Sequence, residues 1–154
     1  MQTPSQCKNL KTRDEPQFFF SPLQAGIASV TTEALLTFNT VVGVTQTVGV
    51  TSYTVPAGKT LRIQYIRCKA RFTTPSTTVT FANVQFNFRN AAAIATTNYL
   101  FGVQIDCASN AATPDVELPI PDGWELPAGS VFAISQLGSA ATLTLSFNVK
   151  GYLY

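Results

Sequence analysis

The side chains in this chain most able to do chemistry are carboxylates gathered in one stretch: Asp115, Glu117, Asp122 and Glu125, with the single tryptophan, Trp124, among them. Such a group suggests calcium binding or an acid pair for glycoside hydrolysis. A calcium loop needs D-x-[DN]-x-[DN]-G spacing, and VELPIPDGWELPAG lacks it. A glycosidase needs two carboxyls fixed across a cleft, and nothing in this spacing fixes them. Trp124 with Tyr152 or Tyr154 would form a sugar-stacking platform, although a lone tryptophan in a proline-rich loop is more often a core plug. Histidine is absent from all 154 residues, which excludes Ser-His-Asp and Cys-His catalysis and histidine-based zinc sites. Cys7, Cys68 and Cys107 are odd in number and lack CxxC spacing, so they mark neither a disulfide framework nor a zinc knuckle. Cys68 lies on an apolar face and reads as a buried thiol. The expectation is therefore no catalytic residue, no metal and no cofactor.

The basic residues are segregated from these acids. Lys59, Arg62, Arg67, Lys69, Arg71 and Arg89 occur with no acid among them; Asp106, Asp115, Glu117, Asp122 and Glu125 occur with no base among them. Two arrangements fit. The patches meet across a subunit interface, with Arg67, Lys69 and Arg71 as its basic side, or they are neighbours within one domain and neutralise each other as solvated pairs. Nucleic-acid binding is disfavoured, because the flanking aromatics look core-directed and the formal net charge is only +2.

The elements that carry these residues read as strands throughout. In Val55 to Thr73, Leu61, Ile63 and Tyr65 alternate with polar residues, and then Ile66, Cys68, Ala70 and Phe72 take over the apolar phase. That flip predicts a β-bulge near Tyr65-Ile66, or a strand crossing between sheets. Val84, Phe86 and Phe88 alternate, as do Leu143, Leu145, Phe147 and Val149. Pro119, Pro121 and Pro127 confine residues 116–129 to an edge strand or an ordered loop. Val55-Pro56-Ala57-Gly58 is echoed by Leu126-Pro127-Ala128-Gly129, each leading into a β run, as in the two halves of a double Greek key. The expected fold is all-β: an antiparallel two-sheet β-sandwich, jelly-roll-like, over residues 34–154. Residues 1–33, interrupted by Pro4, Pro16 and Pro22, read as an N-terminal arm. Its Phe18-Phe19-Phe20 run serves either as an anchor into a neighbouring subunit or as a segment folded back on the domain's own core.

Charged residues make up 12% of the chain, against roughly a quarter in typical globular domains. Such a surface suits burial against neighbouring subunits better than life as a free monomer. The start, MQTPSQCKNLKTRDEPQ, has no apolar core of a secretory signal, and no run is long enough to span a membrane.

The VPAGKTLRI turn-and-strand unit, the His-free and Thr-rich β composition, the leading arm and the terminal strand NVKGYLY resemble the capsid decoration (cement) proteins of tailed bacteriophages, over residues 34–154. The resemblance implies a non-enzymatic virion protein, made in the host cytoplasm, that forms a homotrimer. It implies the major capsid protein or other virion proteins as partners, binding at the outer surface of the shell, with no nucleic acid and no membrane. It carries over no site residue. Related jelly-roll virion proteins, such as receptor- or carbohydrate-binding fibre heads, share the VPAG-strand unit and are the alternative.

Overall fold

A computed structural model describes residues 16–74, 76–91, 94, 99–110 and 114–154. Among the described residues, eleven strands form two antiparallel sheets. The first contains, in spatial order, β4 (Thr45–Val50), β3 (Phe38–Val42), β1 (Gln17–Ala28), β11 (Leu143–Leu153), β6 (Leu61–Phe72) and β9 (Asp115–Leu126). The second contains β2 (Ala34–Leu35), β10 (Val131–Gly138), β7 (Phe81–Asn90) and β8 (Tyr99–Ala108), with β5 (Ser52–Thr54) also paired to β10. The pairing is nested. β1 pairs with β11, β2 and β5 with β10, β6 with β9, and β7 with β8. A long hairpin rolled over on itself gives this pattern, so the sandwich is jelly-roll-like.

Alternation sets the core. Phe86 and Phe88 of β7, Phe132 of β10, Phe147 of β11 and Phe38 of β3 all turn inward and are fully buried. Their rings meet between the sheets at centroid distances of 6.2 to 6.4 Å, mostly edge to face. That spacing is favourable for aromatic pairs. Phe19 adds to the same cluster against Phe132.

Phe19 corrects the arm assigned to residues 1–33. From Gln17 on, the chain is not an arm: β1 lies between β3 and β11 inside the larger sheet. The folded-back alternative holds for this segment, and residues 1–15, with Cys7, lie outside the described residues. Pro22 is accommodated where the β1–β11 register shifts between Ser21 and Gln24, at a point where the ladder is already broken.

The phase flip in β6 is a bulge, placed one residue earlier than Tyr65-Ile66. Tyr65 pairs with Lys150 and Ile63 with Gly151, so Gln64 is the extra residue. Leu61 and Ile63 before it, and Ile66, Cys68 and Ala70 after it, all face the core, while Tyr65 turns outward. The strand stays in one sheet. At the bulge the strands crowd together: a Cβ on Gly151 would lie 2.1 Å from the Arg62 carbonyl oxygen, so only glycine fits.

The two PAG turns are spatial neighbours. One links β5 to β6 and the other β9 to β10, each crossing between sheets. Gly129 N–H donates to the Val55 carbonyl and Val55 N–H to the Ser130 carbonyl, both at 2.9 Å. Gly58 and Gly129 share a left-handed backbone, with φ of 74° and 81°. The sequence echo thus marks two equivalent, mutually bonded corners.

Candidate functional site

The outer face of the six-stranded sheet gathers most of the residues singled out from the sequence. Its charged half is built by register. Arg67 stands opposite Glu117, Lys69 opposite Asp115 and Arg62 opposite Glu125 across the β6–β9 pair. Arg67 Nε donates to Asp115 at 3.0 and 3.1 Å and lies 3.1 Å from Glu117 Oε1; Lys69 Nζ lies 3.0 Å from Asp115 Oδ2. Arg62 and Glu125 approach to 3.5 Å. The Arg67 hydrogen bonds hold the Asp115 carboxyl down at about 2, well below its usual value. Basic and acidic segments therefore pair within one chain. Arg71 is the exception in the basic triplet: it makes no ion pair with a described residue.

The other half of the face is aromatic. Phe18 and Phe20 leave β1 on the side opposite Phe19, with ring centroids 5.3 Å apart. Phe18 meets Tyr152 of β11 edge-on at 5.7 Å. Phe18, Tyr152 and Tyr154 stay about 40% exposed, although Phe18 and Tyr152 touch. Lys150 Nζ sits 5.1 Å from the centre of the Tyr65 ring. A groove of about 250 Å³ runs alongside, lined by Pro16, Arg62, Gln64, Tyr152 and Tyr154. Tyr154 O–H donates to Glu125 Oε1 at 2.5 Å, and this bond raises the phenol above its ordinary value.

The Phe18-Phe19-Phe20 anchor thus divides by strand parity: Phe19 belongs to the core, and Phe18 and Phe20 to the surface. Trp124 is half-buried and packs on Phe101 at 5.3 Å and Phe88 at 6.3 Å, as a core plug does. It does not join Tyr152 and Tyr154 in a platform. The prolines place β9 at the sheet edge, paired among the described residues with β6 alone. Cys68 is buried, and burial pushes its thiol up to about 12, leaving it protonated and inert. Among the described residues, no three His, Cys, Asp or Glu side chains converge as metal ligands would.

Sequence inspection missed a second polar site, on the far side of β7. Arg89 is fully buried there. It pairs with Glu33 from the β1–β2 crossover, and its Nε donates to Ser135 Oγ at 2.8 Å. Ser135 Oγ and Asn87 Nδ2 also donate to Glu33 Oε1, at 2.6 and 2.9 Å. Burial works to raise the Glu33 carboxyl, but hydrogen bonds from Ser135, Arg89 and Asn87 outweigh it and hold the group below its usual range.

No protein-family model matches this chain, and no curated protein sequence matches it.

Proposed function

We propose that this chain is a non-enzymatic structural protein of a virion: a capsid decoration (cement) protein that assembles as a homotrimer and binds the outer surface of a shell built by the major capsid protein. The observation that carries the reading is the aromatic half of the six-stranded sheet, where Phe18 of β1 and Tyr152 of β11, with Tyr154 just past β11, remain exposed. Aromatic residues are enriched at the energetic centres of protein interfaces. Presenting them from a sheet lowers the ordering cost of association. The neighbouring ion pairs suit a polar rim. The fold alone assigns no function.

The test is the mass of the purified protein by light scattering, at low and high salt, together with co-sedimentation on undecorated phage shells. A trimer at both salts that sediments with shells is expected. The Phe18→Ser/Tyr152→Ser double variant should lose oligomer or attachment while melting as a folded sandwich. A wild-type monomer that ignores shells overturns the reading.

The groove of Pro16, Arg62, Gln64, Tyr152 and Tyr154 favours a second reading, a receptor- or carbohydrate-binding module such as a fibre head. Glycan-array binding that is lost in Tyr154→Ala selects it.

A further inference from the structure

A second groove, of about 300 Å³, lies further along the same face. Ala25 and Gly26 of β1, Lys69 and Arg71 of β6, and Thr144 and Ser146 of β11 line it. Its shape comes from a bulge. Gln24 pairs with Phe147 and Ile27 with Leu145, so Ala25 and Gly26 together oppose Ser146. Two small residues set out of the ladder leave room beside the outward side chains of β11 and β6. Across the groove, Arg71 pairs with Thr144 and Lys69 with Ser146 in register. Two cations and two hydroxyls therefore stand at the corners of one patch, and none of the described acids lines it.

We propose that this groove binds a tetrahedral oxyanion, either free phosphate or the phosphate of a small ester. The charge arithmetic favours an anion. Arg67, Lys69 and Arg71 face only two carboxylates on β9, Asp115 and Glu117, so one positive charge remains. That charge falls on Arg71, which forms no ion pair with a described residue. Lys69 gives one of its three donors to Asp115 and keeps two. Thr144 Oγ1 lies 2.8 Å from Thr73 Oγ1. If Thr73 donates that bond, the Thr144 proton is left for a ligand oxygen. Guanidinium, ammonium and hydroxyl donors together match the acceptor oxygens of a phosphate. The groove is larger than a bare ion, so an ester also fits.

The experiment is an amide NMR titration of the full chain with inorganic phosphate, glucose 6-phosphate and glucose, each against sodium chloride at matched ionic strength. Saturable shifts centred on Ala25, Gly26, Thr144 and Ser146 are expected with the first two and none with glucose. Tighter binding of the sugar phosphate assigns an ester, and equal binding assigns the free ion; both support the site. Arg71→Gln should weaken binding by about tenfold or more, as loss of a charge-assisted bond would. Lys150→Gln, on the same face but outside the groove, should leave binding unchanged. Absence of saturation, or equal weakening by both substitutions, overturns the site in favour of diffuse charge attraction.

Discussion

On the outer face of the six-stranded sheet, Arg67, Lys69, Asp115 and Glu117 pair in the open, each side chain between 29% and 52% exposed. On the outer side of the other sheet, Arg89 and Glu33 pair with the guanidinium fully out of water. The first set is conspicuous in sequence, clustered and sign-segregated. The second consists of two isolated charges 56 residues apart. Their energetic ranks run the other way. Water screens an exposed pair on either partner, so the pair gains little over its separated ions. A buried guanidinium has lost its hydration and depends on the groups around it. Glu33 also sits in the segment where the chain crosses from β1 to β2. Gln136 Nε2 donating to the Ala28 carbonyl at 2.8 Å, and Ser29 Oγ donating to the Ala140 carbonyl at 2.7 Å, hold the start of that crossover. The buried pair thus fastens a crossover between sheets, whereas the exposed pairs decorate a strand pairing that the backbone already secures.

The largest effect is expected at Glu33. Replacing it with alanine takes the carboxylate from a guanidinium that cannot be rehydrated, and should destabilise the fold by about 3–5 kcal/mol in chemical denaturation. Glu33→Ala combined with Arg89→Met should cost less than Glu33→Ala alone, because no buried cation then remains. A double variant less stable than the single one would show that the polar network contributes through packing and not through charge.

A pH titration of stability sharpens the same contrast. Glu33 and Asp115 both have folded-state values lowered from their ordinary 4.5 and 3.8. The unfolded chain therefore binds protons first as pH falls, so the stabilisation is complete above the ordinary values and is lost as pH drops through the folded ones. For Asp115 that window runs from 3.8 down to about 2. Asp115→Asn should flatten the acid slope between pH 3.8 and about 2, and Glu33→Gln should flatten it below pH 4.5, because each substitution removes a carboxyl that binds its proton more readily in the unfolded chain. An acid slope unchanged in either variant would contradict the corresponding shift.

The sequence makes the exposed set legible because strand alternation alone puts Arg67, Lys69 and Arg71 on one face of β6. Leu143 to Val149 and Val84 to Phe88 are legible for the same reason, and three prolines announce an edge strand. Phe18-Phe19-Phe20 hides β1, because three apolar residues in a row erase a period of two, and Pro22 and two register shifts erase what is left. The Glu33–Arg89 contact follows from the crossover geometry, which no local pattern encodes. The groove beside Arg71 depends on a bulge at Ala25-Gly26 that only the β11 register reveals.

The smallest effect is expected at Arg67, and it is the most demanding test of the comparison. This residue is heavily bonded on the face, reaching both Asp115 and Glu117. Counted by contacts, Arg67→Gln should be severe. Counted by solvation, it should cost little, because Arg67 and both its partners are solvated and Lys69 stays on Asp115. Raising the ionic strength to about 1 M should remove most of even that difference, since screening then acts over roughly 3 Å. Denaturation of wild type and Arg67→Gln at both salts decides the matter. A large loss that persists in high salt would mean that Arg67 acts as a buried group does, and the distinction between the two sheets would fail at a residue bonded to two carboxylates.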